Sequence, residues 1–190
     1  YTLDTILQDQ LFSPTEVNVT SILWNGTAYF APANSPTYSD ITYSTTGTTW
    51  LSNKVAGQPI SLTDIVYADS KYVMSSQNNV TPILVSIDGI VWTTAGLETE
   101  SVSIDNTSLN SVAYFNGIYV AVGDNIVSSD DAYIWLERFR FTDMILYGVS
   151  AITINNFDGF IAVGVGPDYS VIPTITQSVL LKSLDGISWT

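Results

Sequence analysis

The chain has no cysteine, no histidine, and five basic residues among 190. Without cysteine there is no disulfide framework, no thiolate metal site and no cysteine nucleophile. Without histidine the commonest general base and the commonest transition-metal ligand are both missing. The basic residues are Lys54, Lys71, Arg138, Arg140 and Lys182, and against 18 acidic ones they leave a net charge of −13. Nucleic acids and anionic membranes are bound through basic patches that displace counterions. Beyond the Arg138/Arg140 pair no such patch can be assembled, so both partners are excluded. On a regular strand those two arginines would share a face.

Long apolar runs are also missing. Spanning a bilayer takes about 20 apolar residues. The longest candidate, "MILYGVSAITI" at 144–154, is shorter and contains polar residues. Direct membrane insertion is therefore not expected. Tyr1 opens the chain and no charged-then-apolar leader follows, as expected of a mature chain or an excised segment. Charged residues are only 12% of the chain, about half the usual share, so Ser, Thr, Asn, Gln and Tyr must wet the surface. That composition is common among extracellular β-rich and particle-associated proteins. Hydrophobic residues make up 46%, which suits one globular domain over 1–190 with a real core.

What is present is a repeat. "STTGTTW" at 44–50, "SIDGIVW" at 86–92, "SDDAYIW" at 129–135 and "SLDGISW" at 183–189 share the pattern Ser-x-(Asp/Thr)-(Gly/Ala)-x-x-Trp. The closing tryptophans Trp50, Trp92, Trp135 and Trp189 recur at intervals of about 42–54 residues, and divide the chain into repeats near 1–50, 51–92, 93–135 and 136–190. A hairpin pattern precedes each one: "SILWNGTAYFAPA", "DIVYADSKYVMSS", "SVAYFNGIYVAVG" and "AITINNFDGFIAVG". Asn25-Gly26, Asn116-Gly117 and Asp158-Gly159 read as hairpin turns, since these residues tolerate positive φ. Val, Ile, Tyr, Phe and Thr around them favour strands. The second repeat parses into strands near 64–68, 71–77, 83–88 and 91–96. One four-stranded antiparallel sheet per repeat is the period of a propeller blade. No segment has clear helical periodicity. In 132–145 the apolar positions Ile134, Leu136, Phe139 and Phe141 do not follow a helical stripe.

Each repeated turn reads as a folding device. The carboxylates of Asp88, Asp131 and Asp185 can accept amide hydrogen bonds within their own turns, with Thr46 a weaker substitute. Ser44, Ser86, Ser129 and Ser183 open the turns. Gly47, Gly89 and Gly186 permit left-handed backbone, and the tryptophans can cover the layer between neighbouring sheets.

The motif resembles the Asp-box, or BNR, repeat of sialidase-like β-propellers, and the preceding hairpins are similar to repeats of bacterial and phage surface proteins. Here the spacing from Asp to Gly is one residue shorter than usual, which implies a tighter turn. The resemblance covers most of the chain. It implies an all-β propeller of four-stranded blades whose box links the third and fourth strands. The last blade then lacks its fourth strand. The strand-like start "YTLDTILQDQLF" is expected to complete it, closing a small ring; the alternatives are that the four blades belong to a larger ring of about five to seven blades, or that the strand completes a neighbouring copy instead. Sialidase chemistry needs three convergent arginines, and this chain has two arginines in all.

A generic glycosidase needs two carboxylates about 5–10 Å apart, and no spacing singles out such a pair. "VGDN", "SSDD" and "NNFDG" offer hard oxygens but match no calcium motif. No cofactor or metal is expected. If the fold binds a ligand, the loops opposite the boxes are the expected place, with Tyr38, Asn78, Asn79, Asp124, Asn125, Asp168 and Tyr169 as candidates. Sequons at Asn18, Asn25, Asn79 and Asn106 would permit glycosylation, although chance supplies about as many in a chain this rich in Ser and Thr. The resulting expectation is a non-enzymatic structural or assembly module of an extracellular filament, cell surface or virion. Its partners would be copies of itself or other surface and particle proteins. The alternatives are an adhesion module binding glycans through those loops and, last, a glycosidase.

Overall fold

A computed structural model of the chain describes residues 17–56, 59–98, 107–155, 157–168 and 175–190. Among them the secondary structure is entirely β, in seventeen strands. β1 (Asn18–Val19) and β2 (Leu23–Trp24) both pair with β3 (Tyr29–Asn34), which continues through β4 (Ser39–Ser44) to β5 (Leu51–Ala56). β6 (Leu62–Ala68), β7 (Lys71–Ser76), β8 (Ile83–Ser86) and β9 (Thr93–Thr94) form the second sheet in chain order. A short β10 (Gly96–Glu98) follows. The third sheet runs through β11 (Leu109–Phe115), β12 (Ile118–Gly123), β13 (Asn125–Ser129) and β14 (Ile134–Arg140). β15 (Ile145–Ile154), β16 (Phe157–Asp168) and β17 (Ile175–Ser183) make the fourth. Apart from β10, neighbouring strands within each sheet are antiparallel, so each repeat is one meander, as the sequence pattern expects.

The sheets stack face to face through three apolar cores. Phe30 and Ile41 of the first meet Ile65, Tyr72 and Met74 of the second. Val73, Ile83 and Val85 of the second meet Val112, Tyr119 and Trp135 of the third. Val120, Val122 and Ile126 of the third meet Leu146, Val149 and Phe160 of the fourth. A middle sheet is therefore buried on both faces. That is why its second strand reads as a continuous apolar run: Tyr119, Val120, Ala121 and Val122 are all fully buried, with alternate residues serving opposite cores. Four sheets stacked about a common set of inner strands are the blades of a β-propeller. Among the described residues, no apolar core joins the fourth blade to the first. The expected strand exchange falls on residues 1–16, outside the described residues.

Three local features depart from the sequence expectation. The fourth hairpin turns at Asn155, whose φ is +53°, and Asp158-Gly159 lies inside β16, paired with Thr153 and Ile152. Gly159 answers a different need, because a Cβ there would sit 2.2 Å from the Ser183 carbonyl oxygen. The two arginines do not share a face, since a bulge in the β13–β14 ladder between Ile126 and Val127 parts them. Arg140 then reaches Glu137, while Arg138 donates to Ser128 Oγ at 2.7 Å. Finally, β10 leaves the second blade and pairs in parallel with β14 of the third, strapping the two outer edges together.

Candidate functional site

The four serine turns share one geometry. Ser86 Oγ accepts the Gly89 amide at 2.9 Å and donates to Asp88 Oδ1 at 2.9 Å. That carboxylate oxygen accepts the amides of Ile90 and Val91, both at 2.8 Å. Ser129 and Asp131 repeat the pattern with Ala132, Tyr133 and Ile134. Ser183 and Asp185 repeat it with Gly186, Ile187 and Ser188. In the first turn Ser44 accepts the Gly47 amide at 2.8 Å, and the Thr46 hydroxyl takes the next two amides at 3.3 and 3.4 Å. A neutral hydroxyl is a weaker acceptor than a carboxylate, and the longer distances agree with that.

Each turn then seats its tryptophan. The indole N–H of Trp135 donates to Ala132 O at 2.7 Å, and those of Trp50 and Trp189 reach Gly47 O and Gly186 O at 3.3 Å. Trp92 has no such partner for its buried indole nitrogen. The ring of each tryptophan lies 6.3–6.4 Å from an aromatic ring on the second strand of its own blade: Tyr29, Tyr72, Tyr119 or Phe160.

The amide bonds hold the three turn carboxylates below their ordinary range. Val91 and Ile90 act on Asp88, Ile134 and then Tyr133 on Asp131, and Ser188 and Ile187 on Asp185. A lowered folded pKa stabilises the fold at every pH above the unfolded value of about 4. The contribution disappears as pH falls through the folded values. The expected result is a melting temperature that drops on acidification below about pH 4, and a shallower drop when Asp88, Asp131 and Asp185 are all changed to Asn. An acid limb of equal steepness in that variant would remove the turns as its cause.

The inner strands carry a second polar arrangement, which the sequence reading missed. Asp64, on β6, accepts Ser21 Oγ from the first blade at 2.7 Å on Oδ1. On Oδ2 it accepts Ser111 Oγ from the third blade at 2.7 Å and the Val112 amide at 3.2 Å. Ser111 Oγ in turn accepts the Val149 amide of the fourth blade at 3.2 Å. One carboxylate and one hydroxyl thus link four successive blades. Main-chain carbonyls at one level continue the seam: Leu62 O takes Asn34 and Thr20, Leu109 O takes Thr63, and Leu146 O takes Asn110. The available signal was an acid early in the otherwise apolar run "LTDIVYA", in step with Ser111 one repeat later.

The residues proposed for a ligand-facing loop fall in several turns and strand ends of different blades. Tyr38 is half-buried with Lys54 Nζ 5.2 Å above its ring. Asn78 Oδ1 accepts the Val80 and Thr81 amides in its own turn. Asn79 is exposed beside it. Asp124 is held through its backbone to Ser108 and Phe141. Asn125 is buried, donating to Thr107 Oγ1 and to Glu137 Oε2, which also pairs with Arg140 at 2.7 Å. Burial raises the Glu137 pKa, but its bonds from Arg140 and Asn125 outweigh this and leave it lowered. Asp168 ends β16, while Tyr169 lies outside the described residues. Of the sequon residues, Asn18 and Asn79 are exposed, Asn25 Oδ1 accepts the Thr27 and Ala28 amides, and Asn106 is outside the described residues. Among the described residues no three acidic side chains gather closely enough to hold a metal.

No family model and no curated protein matches this chain. Solved structures do. It is similar to a structure of YCF48 bound to D1 peptide, at 15% identity and TM-score 0.50, over 92% of this chain and 66% of that one. It is also similar to 1,3Gal43A, an exo-β-1,3-galactanase from Clostridium thermocellum, at 9% identity and TM-score 0.53, over 93% of this chain and 50% of that one. A GH43_1 enzyme from Xanthomonas citri complexed with xylose aligns at 10% identity and TM-score 0.49, over 89% and 69%. The fold is a β-propeller, and this chain spans 66% and 50% of the lengths of the first two. At such identities the likeness concerns architecture, since one fold carries many functions.

Proposed function

We propose that this chain is a non-catalytic structural propeller module of an extracellular assembly, a filament, cell surface or virion, built from repeats of the Asp-box kind. The observation that supports this reading is how five of the described carboxylates are engaged. Asp88, Asp131 and Asp185 each hold the amides of their own turn. Asp64 holds the inner strands together, and Glu137 is paired with Arg140. A hydrolase needs a carboxyl group free to give or take a proton at a substrate. The exposed apolar residues of the turns also support an assembly role. Ile87, Val91 and Leu184 are 72%, 66% and 68% exposed, and apolar residues grouped on one side of a molecule mark contact surfaces.

The test is a panel of chromogenic glycosides, run beside a glycan array on the same sample. The expected result is no turnover and no saturable glycan signal. Turnover abolished by one carboxylate substitution would replace this reading with a glycosidase. Saturable binding lost on changing Asn79 or Tyr169 would replace it with an adhesion module.

A further inference from the structure

We propose that Asn116 is a modification site, an asparagine that converts to aspartate and isoaspartate in the folded chain while the other Asn-Gly and Asp-Gly pairs are held back by their bonds. This goes beyond the assembly reading and does not depend on it. Asparagine is among the thermolabile residues. The reaction begins when the next amide nitrogen loses its proton to hydroxide and attacks the asparagine Cγ. The N–Cγ bond forms, the Cγ–Nδ2 bond breaks and ammonia leaves with a proton from water. Water then opens the five-membered imide at either carbonyl, one giving aspartate and the other isoaspartate. Glycine favours the attack because no Cβ crowds its nitrogen.

The chain holds the pairs Asn25-Gly26, Asp88-Gly89, Asn116-Gly117, Asp158-Gly159 and Asp185-Gly186. In the two serine turns both reacting groups are taken. The Gly89 and Gly186 amides are given to Ser86 and Ser183, and each aspartate oxygen holds two further amides. Gly159 is buried inside the β15–β16 ladder, opposite Ile152. Asn25-Gly26 and Asn116-Gly117 are the informative comparison. Both glycines have positive φ, +99° and +87°, and neither has an atom within 4 Å of where a Cβ would stand. The asparagines differ. Asn25 is half-buried, its Oδ1 accepts the Thr27 amide, the Thr27 hydroxyl and the Ala28 amide, and its Nδ2 donates to the Tyr72 hydroxyl of the second blade. Those bonds must break before Cγ can turn onto the Gly26 nitrogen. Asn116 is exposed, and among the described residues no hydrogen bond holds its side chain. It also stands at φ +48°, which asparagine tolerates without preferring, so this turn opens locally at little cost.

The product would not be silent. Asn116-Gly117 closes the β11–β12 hairpin, whose last pair is Phe115 with Ile118. Both residues pack on the core between the third and fourth blades. Tyr114, next along the strand, gives its hydroxyl to Asp69 of the second blade at 2.6 Å. Isoaspartate adds one carbon to the main chain of this two-residue turn and places a carboxylate on it. The Phe115–Ile118 pair is then the first to loosen.

Peptide mapping of the aged chain tests this directly. Residues 1–190 are held folded at mildly alkaline pH and sampled over weeks. Trypsin cuts after Lys54, Lys71 and Arg138, so Asn25 and Asn116 fall in different peptides. Fragmentation by electron transfer then locates the converted residue and distinguishes aspartate from isoaspartate. The expected result is conversion at Asn116 at least about tenfold faster than at Asn25, at a rate that rises with pH because the Gly117 amide must lose its proton. In urea the two asparagines should react at similar rates, since the bonds that restrain Asn25 are gone. Asn116→Gln should abolish the acidic band that ageing produces on native isoelectric focusing. A folded chain that keeps Asn116 intact, or one in which Asn25 reacts as fast, overturns the proposal. So does a rate difference of equal size in urea, which would place its cause in the flanking residues and not in the fold.

Discussion

Trp135→Ala is expected to destabilise the protein by about 3–5 kcal/mol, the usual range for deleting a buried Trp or Phe. Trp135 is fully buried in the core between the second and third blades, with Tyr119 6.3 Å away. Removing the indole leaves a void lined by that core. It also removes the donor that satisfies Ala132 O at 2.7 Å, in a turn whose Ala132 has a φ of +71°. The strap formed by β10 crosses the same place, since Leu97 is registered opposite Trp135. The loss should therefore loosen the joint between two blades as well as one turn. Thermal unfolding should fall by roughly 10 °C or more. Trp24→Ala is the control, because its ring is half exposed and should cost about 1 kcal/mol or less. Equal losses for the two would mean that Trp135 does not anchor the blade junction.

The repeat was legible in the sequence because every blade solves the same packing problem with the same side chains. Trp50, Trp92, Trp135 and Trp189 each face an aromatic ring on their own second strand, so the pattern recurs in phase. The strands of the second repeat fell within a few residues of their expected positions, since turns such as Asp69-Ser70 and Asn116-Gly117 require positive φ and mark the ends of strands. What could not be read depends on contacts between distant residues. Asp64 takes one local bond, from the Ile65 amide at 2.9 Å, but the partners that distinguish it from a solvated acid, Ser21 and Ser111, lie in other blades. Arg138 and Arg140 were placed on one face by counting, but a bulge breaks the count, and nothing in the residues themselves announces it. Asp158-Gly159 looks like a turn because glycine serves two needs. Here the need is room beside the Ser183 carbonyl. The candidate ligand residues rest on chemistry and loop position alone, and two of them have local roles such a reading does not see: Asn78 caps its own turn, and Asn125 is buried against Thr107 and Glu137.

Gly123→Ala separates those two uses of glycine, and is expected to cost at least about 3 kcal/mol. The new Cβ would stand 1.9 Å from Ser108 O and 2.8 Å from Leu109 Cα. Both obstacles are backbone, and the oxygen is fixed by the Asp124 amide at 3.1 Å, so no side chain can turn aside to make room. Gly164 occupies the matching place in the fourth blade, with Ile145 O at 2.1 Å and Leu146 Cα at 2.7 Å. In both blades the ladder shifts register just beyond this pair, which brings the inner strand over the glycine. Gly117→Ala is the comparison. It has a φ of +87° and nothing within 4 Å of the added carbon, so only the backbone preference is lost, at about 1 kcal/mol. Urea unfolding of the two variants decides which requirement dominates. If Gly117→Ala proves the more damaging, hairpin conformation limits this fold more than strand approach. If Gly123→Ala does, as the distances imply, the glycines ending "VAVG" and "IAVG" mark where the inner and second strands come closest.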